Sequence, residues 1–397
     1  MPATERRPIA LLALLAGLTA LAPLSIDVVT PSFPAIRDDL GAPDWAVQAS
    51  VTACLLGIGC GQLLLGPLSD RVGRRPVVVA GVLGWTAASL LSAVAVDAAW
   101  LVVARAVAGL TGAAAIVVAR SVVRDVSDAS ALLSGRISLL ATVSAAAPVV
   151  APALGSAVAA VGGWRADFLL LAAVGVLALL AVLVLLPETL PAGPRATASV
   201  VAGLRTAMAD RELRLVALAL GAQSFGFYAY IATASFVVEH GLGYGPAVFA
   251  LVFGTNAAAM LAANLVFRRL VRIRSPRELL GGGLTGALSA GLLLLLLGTT
   301  GAPHPLLWAA STLFAAAMGF VLPGAHSWGQ LTAVPSGAGS ALTGSAQFVG
   351  GAAGSPVTGL IGTTVPALGL LVAGSAAVAL LARRRAAVAT RTSAGAA

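Results

Sequence analysis

The feature of this sequence that most restricts its fold is a succession of apolar runs, each about twenty residues long, separated by short polar stretches. The runs occupy approximately 9–31, 46–68, 76–96, 99–121, 134–160, 165–187, 213–238, 245–270, 277–299, 304–325, 335–360 and 363–383. A helix needs about 20 residues to cross a hydrocarbon layer about 30 Å thick. The chain is therefore predicted to be an all-α membrane protein with twelve transmembrane helices.

Composition argues against a soluble globular protein. Hydrophobic residues make up 59% of the 397 residues, and charged residues only 10%. A water-exposed surface with so few charges would aggregate, whereas lipid solvates an apolar surface. Twelve helices leave only short loops, so no large soluble domain is expected.

The placement of the 24 basic residues, all of them arginine, predicts an orientation. With a cytoplasmic N-terminus, 21 arginines fall in cytoplasmic segments, while Arg37 and Arg165 lie outside and Arg105 lies within a span. Arginine-rich loops stay on the cytoplasmic side. We expect a multi-pass protein of the cell inner (plasma) membrane with both termini cytoplasmic. These loops account for the net charge of +9, and no nucleic-acid partner is expected.

The longest polar connection, residues 188–212, divides the runs into two sets of six. We predict an N-terminal six-helix bundle over 1–187 and a cytoplasmic linker over 188–212. A C-terminal six-helix bundle with a short cytoplasmic tail would occupy 213–397. Transporters built from two repeats place their substrate site where the repeats meet.

Two charged residues lie within predicted spans, where charge is costly and usually functional. At 1.5 Å per residue, Asp27 is about 27 Å along the first span and Arg105 about 8 Å into the fourth, which runs the opposite way. Both are expected in the outer third of the bilayer. A carboxyl balanced between desolvation and a nearby guanidinium can bind and release a proton. We expect Asp27 to carry a proton and Arg105 to bias it; the alternatives are a structural ion pair or an interfacial Asp27.

A loop rich in glycine and arginine joins the second and third spans on the cytoplasmic side, with the sequence GPLSDRVGRRP over 66–76. Its glycines permit tight turns, and its aspartate and arginines can form ion pairs that lock one state of a moving bundle. A positive anchor alone would need the arginines but not the glycines and the aspartate. The residues assigned to this conformational switch loop are Gly66, Asp70, Arg71, Gly73, Arg74 and Arg75.

This loop resembles the signature of the major facilitator superfamily, Gly-x-Leu-x-Asp-x-x-Gly-Arg-(Arg/Lys). Residues 101–112 resemble the fourth-span motif of that superfamily, with Arg105, Gly109 and Gly112 in the expected positions. The segment APVVAPALG, residues 147–155, resembles the antiporter motif of its drug exporters. The resemblance implies the major facilitator fold, in which two pseudo-symmetric six-helix bundles move to expose a site alternately to either side.

The antiporter-motif helix also has a physical interpretation. Pro148 and Pro152 lie on one helix face and each removes a backbone hydrogen bond, while Gly155 allows another helix to approach closely. Such a helix can bend as the halves rock. The alternative is a kinked helix whose role is packing.

Further stretches resemble the bicyclomycin/chloramphenicol-resistance (Bcr/CflA-type) branch of drug:proton antiporters. They are Asp27 with PSFPAI (31–36), GQLLLGPLSDR (61–71), ARSVVRD (119–125), GWR (163–165), LPETL (186–190) and, later, AGSAL (338–342) with Gln347. The chain departs from that branch at Thr30-Pro31 and at Ala234-Ser235-Phe236, which bears on substrate preference.

Aromatic and amide side chains within the spans are the candidates for substrate contact, because aromatic walls with a few polar groups suit planar apolar ligands. The candidates are Gln62, Tyr228, Tyr230, Phe236, Asn256 and Gln347. An aromatic belt at the outer interface is the alternative for the aromatic residues. For the amides, the alternative is a hydrogen bond between helices.

The sequence contains no nucleotide-binding loop, catalytic triad or metal-ligand spacing, so we expect no enzyme activity, no cofactor and no metal. The resemblance implies a monomeric, proton-coupled multidrug efflux antiporter that exports small apolar antibiotics, chloramphenicol- or bicyclomycin-like, by alternating access. A proton-coupled uptake symporter or a metabolite exporter on the same fold is the alternative. A membrane-bound sensor or integral enzyme would need a signalling domain or a catalytic cluster.

Overall fold

The computed structural model of the protein describes residues 3–127, 130–190, 200–244, 246–332, 336–361 and 364–394. Almost all of these residues are helical, and no β-strand occurs in the described ranges. The predicted all-α class is therefore confirmed.

The helices coincide with all twelve predicted runs. The first half contains α1 (Ala3–Asp27), α2 (Phe33–Leu40), α3 (Asp44–Val72), α4 (Arg74–Ala93), α5 (Ala98–Asp125) and α6 (Ser130–Leu185). The second half contains α7 (Val200–Ala209), α8 (Arg211–Ser235), α9 (Pro246–Leu270), α10 (Pro276–Thr299), α11 (His304–Thr332), α12 (Ser336–Ile361) and α13 (Val365–Ala394). A 3-10 turn, Thr30–Ser32, separates α1 from α2, and a π-helical segment, Phe236–Gly241, follows α8.

Helix α6 holds two predicted spans, 134–160 and 165–187, in one continuous assignment. Gly163 interrupts the helical backbone with φ 69° and ψ 178°. Residues with a β-carbon rarely adopt this conformation, so the glycine marks the junction of the two spans.

Within the described residues, nine helical segments are long and apolar enough to cross a membrane. They come from α1, α3, α4, α5, α6, α9, α10, α11 and α13. Helices α8 and α12, with 25 and 26 residues, coincide with the predicted seventh and eleventh spans. Large aliphatic side chains on these helices remain exposed, as a surface in contact with lipid requires. The chain is a multi-pass membrane protein.

The chain divides into two compact units. One comprises residues 1–128, 139–207 and 333–345, and the other comprises 129–138, 208–332 and 346–397. Each unit therefore includes one short segment from the other half of the sequence. The division at 207/208 falls within the predicted linker, of which residues 200–209 form α7.

Small residues bring the helices of the first unit into backbone contact. A β-carbon at Gly109 of α5 would lie 2.1 Å from the carbonyl oxygen of Cys54 in α3, and one at Gly57 would lie 2.4 Å from that of Ala106. Lipid supplies no hydrophobic drive between helices, so this van der Waals contact stabilises the bundle. Helices α10 and α13 of the second unit approach in the same way at Gly291 and Ala373.

Candidate functional site

Arg105 of α5 is held inside the first unit by Ser25 of α1. Its guanidinium donates to the Ser25 hydroxyl at 3.4 Å and to the Ser25 carbonyl oxygen. Ser25 Oγ also accepts a hydrogen bond of 2.9 Å from Trp85 Nε1 of α4, and the Phe168 ring of α6 lies 5.8 Å from the guanidinium carbon. With only 2% of its surface exposed, Arg105 links four helices around the end of α1.

Asp27 is the last residue of α1, half a turn beyond Ser25. Its side chain is partly exposed and has no hydrogen-bond or ion-pair partner within the described ranges. Arg105 therefore binds the helical turn that carries Asp27, and the ion pair considered as an alternative interpretation of these two residues is not formed in the described structure.

The antiporter-motif helix lies against the residue that follows Asp27. A β-carbon at Gly155 would lie 1.9 Å from the carbonyl oxygen of Val28, which is buried. Pro152 is partly exposed, and the side chain of Pro148 lies outside the described residues. Residues 25–28 thus bring together three separate sequence motifs. This segment contains Asp27 and contacts both Arg105 and Gly155.

A second buried carboxyl lies in the same unit and was missed by the sequence analysis. Asp167 of α6 is fully buried and accepts a hydrogen bond of 2.5 Å from Ser32 Oγ. Its other oxygen, Oδ1, has no partner in the described part of the chain. An acidic residue inside the predicted span 165–187 was the signal that could have revealed it.

An ion pair joins α2 to the start of the sixth span. Asp39 accepts hydrogen bonds from Arg165 at 2.6 Å and from Trp164 at 3.2 Å. These bonds, the one from Arg165 above all, hold the pKa of the Asp39 carboxyl below its ordinary value. Arg165 also lies 4.2 Å from the centre of the Trp164 ring, a cation–π distance.

Arg74 is the centre of the switch loop. Its Nη1 lies 2.6 Å from an Asp70 oxygen and 2.7 Å from Ser69 Oγ, and its Nε donates to Asp125 at 3.0 Å. Only 1% of Arg74 is exposed, so this cation is buried between carboxylates at the ends of α3 and α5. The Ser69 hydroxyl in turn donates to the carbonyl oxygen of Gly66 at 2.7 Å.

Glu188 caps the N-terminus of α4 from a distant position in the sequence. Its two oxygens accept hydrogen bonds from the backbone amides of Arg74 at 2.9 Å and Arg75 at 3.2 Å. Burial raises the pKa of Glu188, but these bonds and one from the Leu190 amide outweigh it and keep the pKa below its ordinary value.

Gly73 makes room for this cap. Its φ is +121°, and a β-carbon there would lie 2.5 Å from a Glu188 oxygen. Arg75 also donates to the carbonyl oxygen of Leu183 at 2.7 Å, whereas Arg71 is exposed. Sequence analysis selected the loop but missed the acidic residues, Asp125 and Glu188, that complete it.

Two of the proposed substrate contacts in the second unit, Asn256 and Tyr230, are hydrogen-bonded to each other. Asn256 of α9 donates to the Tyr230 hydroxyl at 2.5 Å and to Ser311 Oγ at 3.1 Å, and accepts from Thr312 at 2.7 Å. Tyr230 is buried, with its ring centre 5.5 Å from that of Phe314. These bonds join α8, α9 and α11, as in the structural alternative considered for Asn256.

Two other candidates lie where α12 packs within this unit. His326 Nε2 of α11 is 2.7 Å from Gln347 Oε1, which orients the partly exposed Gln347 amide. Tyr228 is partly exposed and packs so closely on Gly351 that a β-carbon there would lie 2.4 Å from its ring. The side chain of Phe236 lies outside the described residues.

Gln62 of α3 belongs to the first unit. It is fully buried, and its Oε1 accepts a hydrogen bond of 3.4 Å from Arg120 of α5.

The second unit contains a charged cluster of its own that was not predicted. Glu212 Oε1, at the start of α8, accepts from Arg277 at 2.5 Å, from Trp328 Nε1 at 2.5 Å and from Thr332 at 3.3 Å. Arg277 also lies 5.0 Å from the centre of the Trp328 ring. The cluster thus ties together the ends of α8, α10 and α11.

Known proteins resemble this chain over most of its length. The family model described as Major Facilitator Superfamily matches residues 15–355. YdgK of Bacillus subtilis, an uncharacterized MFS-type transporter, is 33% identical over 96% of this chain and 96% of its own. A chloramphenicol resistance protein of Pseudomonas aeruginosa is 31% identical over 71% of this chain and 67% of its own. The crystal structure of the MFS transporter FucP in the outward conformation superposes with a TM-score of 0.77 at 16% identity, covering 96% of this chain and 98% of that one.

Proposed function

Because the chain belongs to the Major Facilitator Superfamily and is a membrane transporter of small molecules, we propose that it is a proton-coupled multidrug efflux antiporter. It exports small apolar antibiotics, chloramphenicol- or bicyclomycin-like, by alternating access. It works as a monomer in the cell inner membrane, with both termini in the cytoplasm. The similarity to a chloramphenicol resistance protein supports the choice of substrate class.

The observation that carries the proposal is the environment of Asp27. This carboxyl ends a transmembrane helix without a hydrogen-bond or ion-pair partner among the described residues. The buried Arg105 binds the same turn of α1 through Ser25. A carboxyl that is not held by an ion pair can gain and lose a proton, whereas the guanidinium remains charged.

Proton binding at Asp27 changes the net charge of the turn that Arg105 holds. Val28 follows directly and lies against Gly155, so a shift at the end of α1 reaches the antiporter-motif helix with Pro148 and Pro152. We infer that the switch loop around Arg74 stabilises one orientation of the transporter. Coupling then requires that proton and drug differ in their affinity for the two orientations.

Substrate contact is assigned to six side chains, which are Gln62, Tyr228, Tyr230, Phe236, Asn256 and Gln347. The partly exposed Tyr228 and Gln347 are supported most directly, because their surfaces are not wholly covered by the protein. One proton moving across about 100 mV supplies roughly 2.3 kcal/mol, so each proton supports a modest drug gradient.

The test is drug accumulation in cells that express the protein, measured with and without a protonophore. We expect expression to lower chloramphenicol accumulation and the protonophore to abolish this effect. Asp27→Asn should remove active export while the protein still inserts. Asp38→Asn, at an exposed ion pair with Arg37, is the matched control and should export normally.

Faster drug entry on expression would identify an uptake symporter instead of an exporter. Full export by Asp27→Asn would remove this carboxyl from the mechanism.

A further inference from the structure

No carboxylate or backbone carbonyl among the described residues engages Arg120 of α5, in contrast to Arg74 and Arg105 of the same unit. Arg74 is paired with two carboxylates, and Arg105 is bound to a serine carbonyl. Arg120 has one partner in the described ranges, the Gln62 oxygen at 3.4 Å, and is only partly exposed. A guanidinium has five N–H donors, so most of its hydrogen-bonding capacity is unused.

Gln62 adds a second unused donor at the same place. The residue is fully buried, and its Nε2 has no partner in the described part of the chain. Arg120 determines how the amide is oriented, because exchanging its oxygen and nitrogen would set two donors face to face. Buried amide donors are nearly always satisfied in proteins, so an unsatisfied one beside an unpaired cation indicates a place for an acceptor.

No acidic side chain among the described residues bonds to Arg120 or Gln62, and Asp70 and Asp125 of the same unit pair with Arg74. The start of α12, in the same unit, covers the pair without adding an acidic side chain. A β-carbon at Gly344 would lie 1.5 Å from Gln62 Oε1 and 2.9 Å from Arg120 Nη1. One turn before Arg120, the Val117 carbonyl accepts from Ser340 of α12 at 3.3 Å.

We propose that Arg120 and Gln62 bind the carboxylate of a transported molecule. A carboxylate presents two oxygens that match the paired N–H groups of a guanidinium, and a low-polarity surrounding strengthens such a bond. This inference rests on the proposed export function and adds apolar compounds that carry one carboxylate to its proposed substrates.

The test uses the full-length protein in lipid nanodiscs and two probes with the same ring system. 2-Naphthoate carries a carboxylate at neutral pH, and 2-naphthamide is its uncharged counterpart. Calorimetry gives the ratio of the two Kd values. We expect the wild type to bind 2-naphthoate at least about tenfold more tightly than the amide, and Arg120→Gln to bring the ratio close to one.

Arg269→Gln is the charge-matched control, because Arg269 is exposed at the end of α9 and should keep the wild-type ratio. Gln62→Glu provides a second test that preserves side-chain size. Its carboxylate would pair with Arg120 and occupy the site from within, so the ratio of Kd values should fall to about one.

Equal affinities in the wild type would overturn the proposal. The proposal would also fail if Arg120→Gln weakened the binding of both probes equally. It would fail as well if Gln62→Glu left the ratio of Kd values unchanged, or if the Arg269→Gln control lowered it. Protonophore-sensitive export of chloramphenicol, which carries no carboxylate, is measured in parallel. If export persists without a carboxylate preference, only the carboxylate site fails; if the preference persists without export, the proposed export function fails.

Discussion

The backbone of Val28, which directly follows α1, lies against Gly155 in α6, where a β-carbon would come within 1.9 Å of the Val28 carbonyl oxygen. This contact joins the residue after the intramembrane carboxyl Asp27 to the glycine of the antiporter motif. Backbone at this distance cannot move aside as a flexible side chain would, so the two helices are expected to move together.

Gly155→Ala should therefore destabilise the protein and slow transport. Overpacking a close contact typically costs about 1–3 kcal/mol. Thermal unfolding of the purified protein would show a lower melting temperature, and drug export in cells would fall. Gly135→Ala in the same helix is the control, because nothing lies within 4 Å of the added methyl group. Equal melting temperatures for the two variants would contradict the expected clash.

Asp125→Asn should weaken the anchorage of Arg74 where the ends of α3 and α5 meet the start of α4. The variant removes one of two carboxylates from a cation that is only 1% exposed. Breaking a buried pair costs of the order of 3 kcal/mol. Melting temperature and transport rate are both measured, and both should decrease.

Asp97→Asn is the comparison for that variant, since Asp97 caps the start of α5 and makes no ion pair within the described residues. The free energy of unfolding should fall less in Asp97→Asn, by about 1 kcal/mol or less. A milder effect of Asp125→Asn than of Asp97→Asn would count against the ion pair.

Glu188→Gln should lower stability at neutral pH, because an amide caps the first amides of α4 less well than a carboxylate does. The folded protein holds the pKa of Glu188 below its ordinary value of 4.5. A lowered pKa stabilises the fold above 4.5 and loses that effect as the pH falls through the folded value. The difference in melting temperature between wild type and variant should thus be constant from pH 8 to 5 and shrink only below 4.5. A difference that changes between pH 6 and 8 would exclude this assignment.

Glu212→Ala should destabilise the second unit more than Glu278→Ala does. Glu212 accepts three hydrogen bonds and has a side chain 13% exposed, whereas Glu278 makes an exposed pair with Arg274 at 3.8 Å. Exposed pairs contribute about 0–1 kcal/mol. Removing Glu212 also leaves the buried Trp328 Nε1 donor without its acceptor, which costs about 1–3 kcal/mol. Chemical unfolding of the purified variants gives both values, and equal losses would show that the cluster is not structural.

Much of the fold could be predicted because each span needs a run of about twenty apolar residues, and such runs are visible one by one. The switch loop and the antiporter motif were also visible, since their glycines and prolines impose local geometry. The partner of Arg105, in contrast, could not be predicted from the sequence. Depth along the helix placed it near Asp27, but which atom a long side chain reaches depends on how α1 and α5 are rotated, and the structure brings it to Ser25.

The succession of apolar runs thus determines by itself that the chain crosses a membrane many times, because each run is long and apolar enough to form a transmembrane helix. Only the tertiary structure decided which charges meet. Arg74 with Asp125, Glu188 with the start of α4, and Glu212 with Arg277 join residues from 51 to 114 positions apart. No local pattern encodes such pairs, because they arise from the packing of helices that are distant in the sequence.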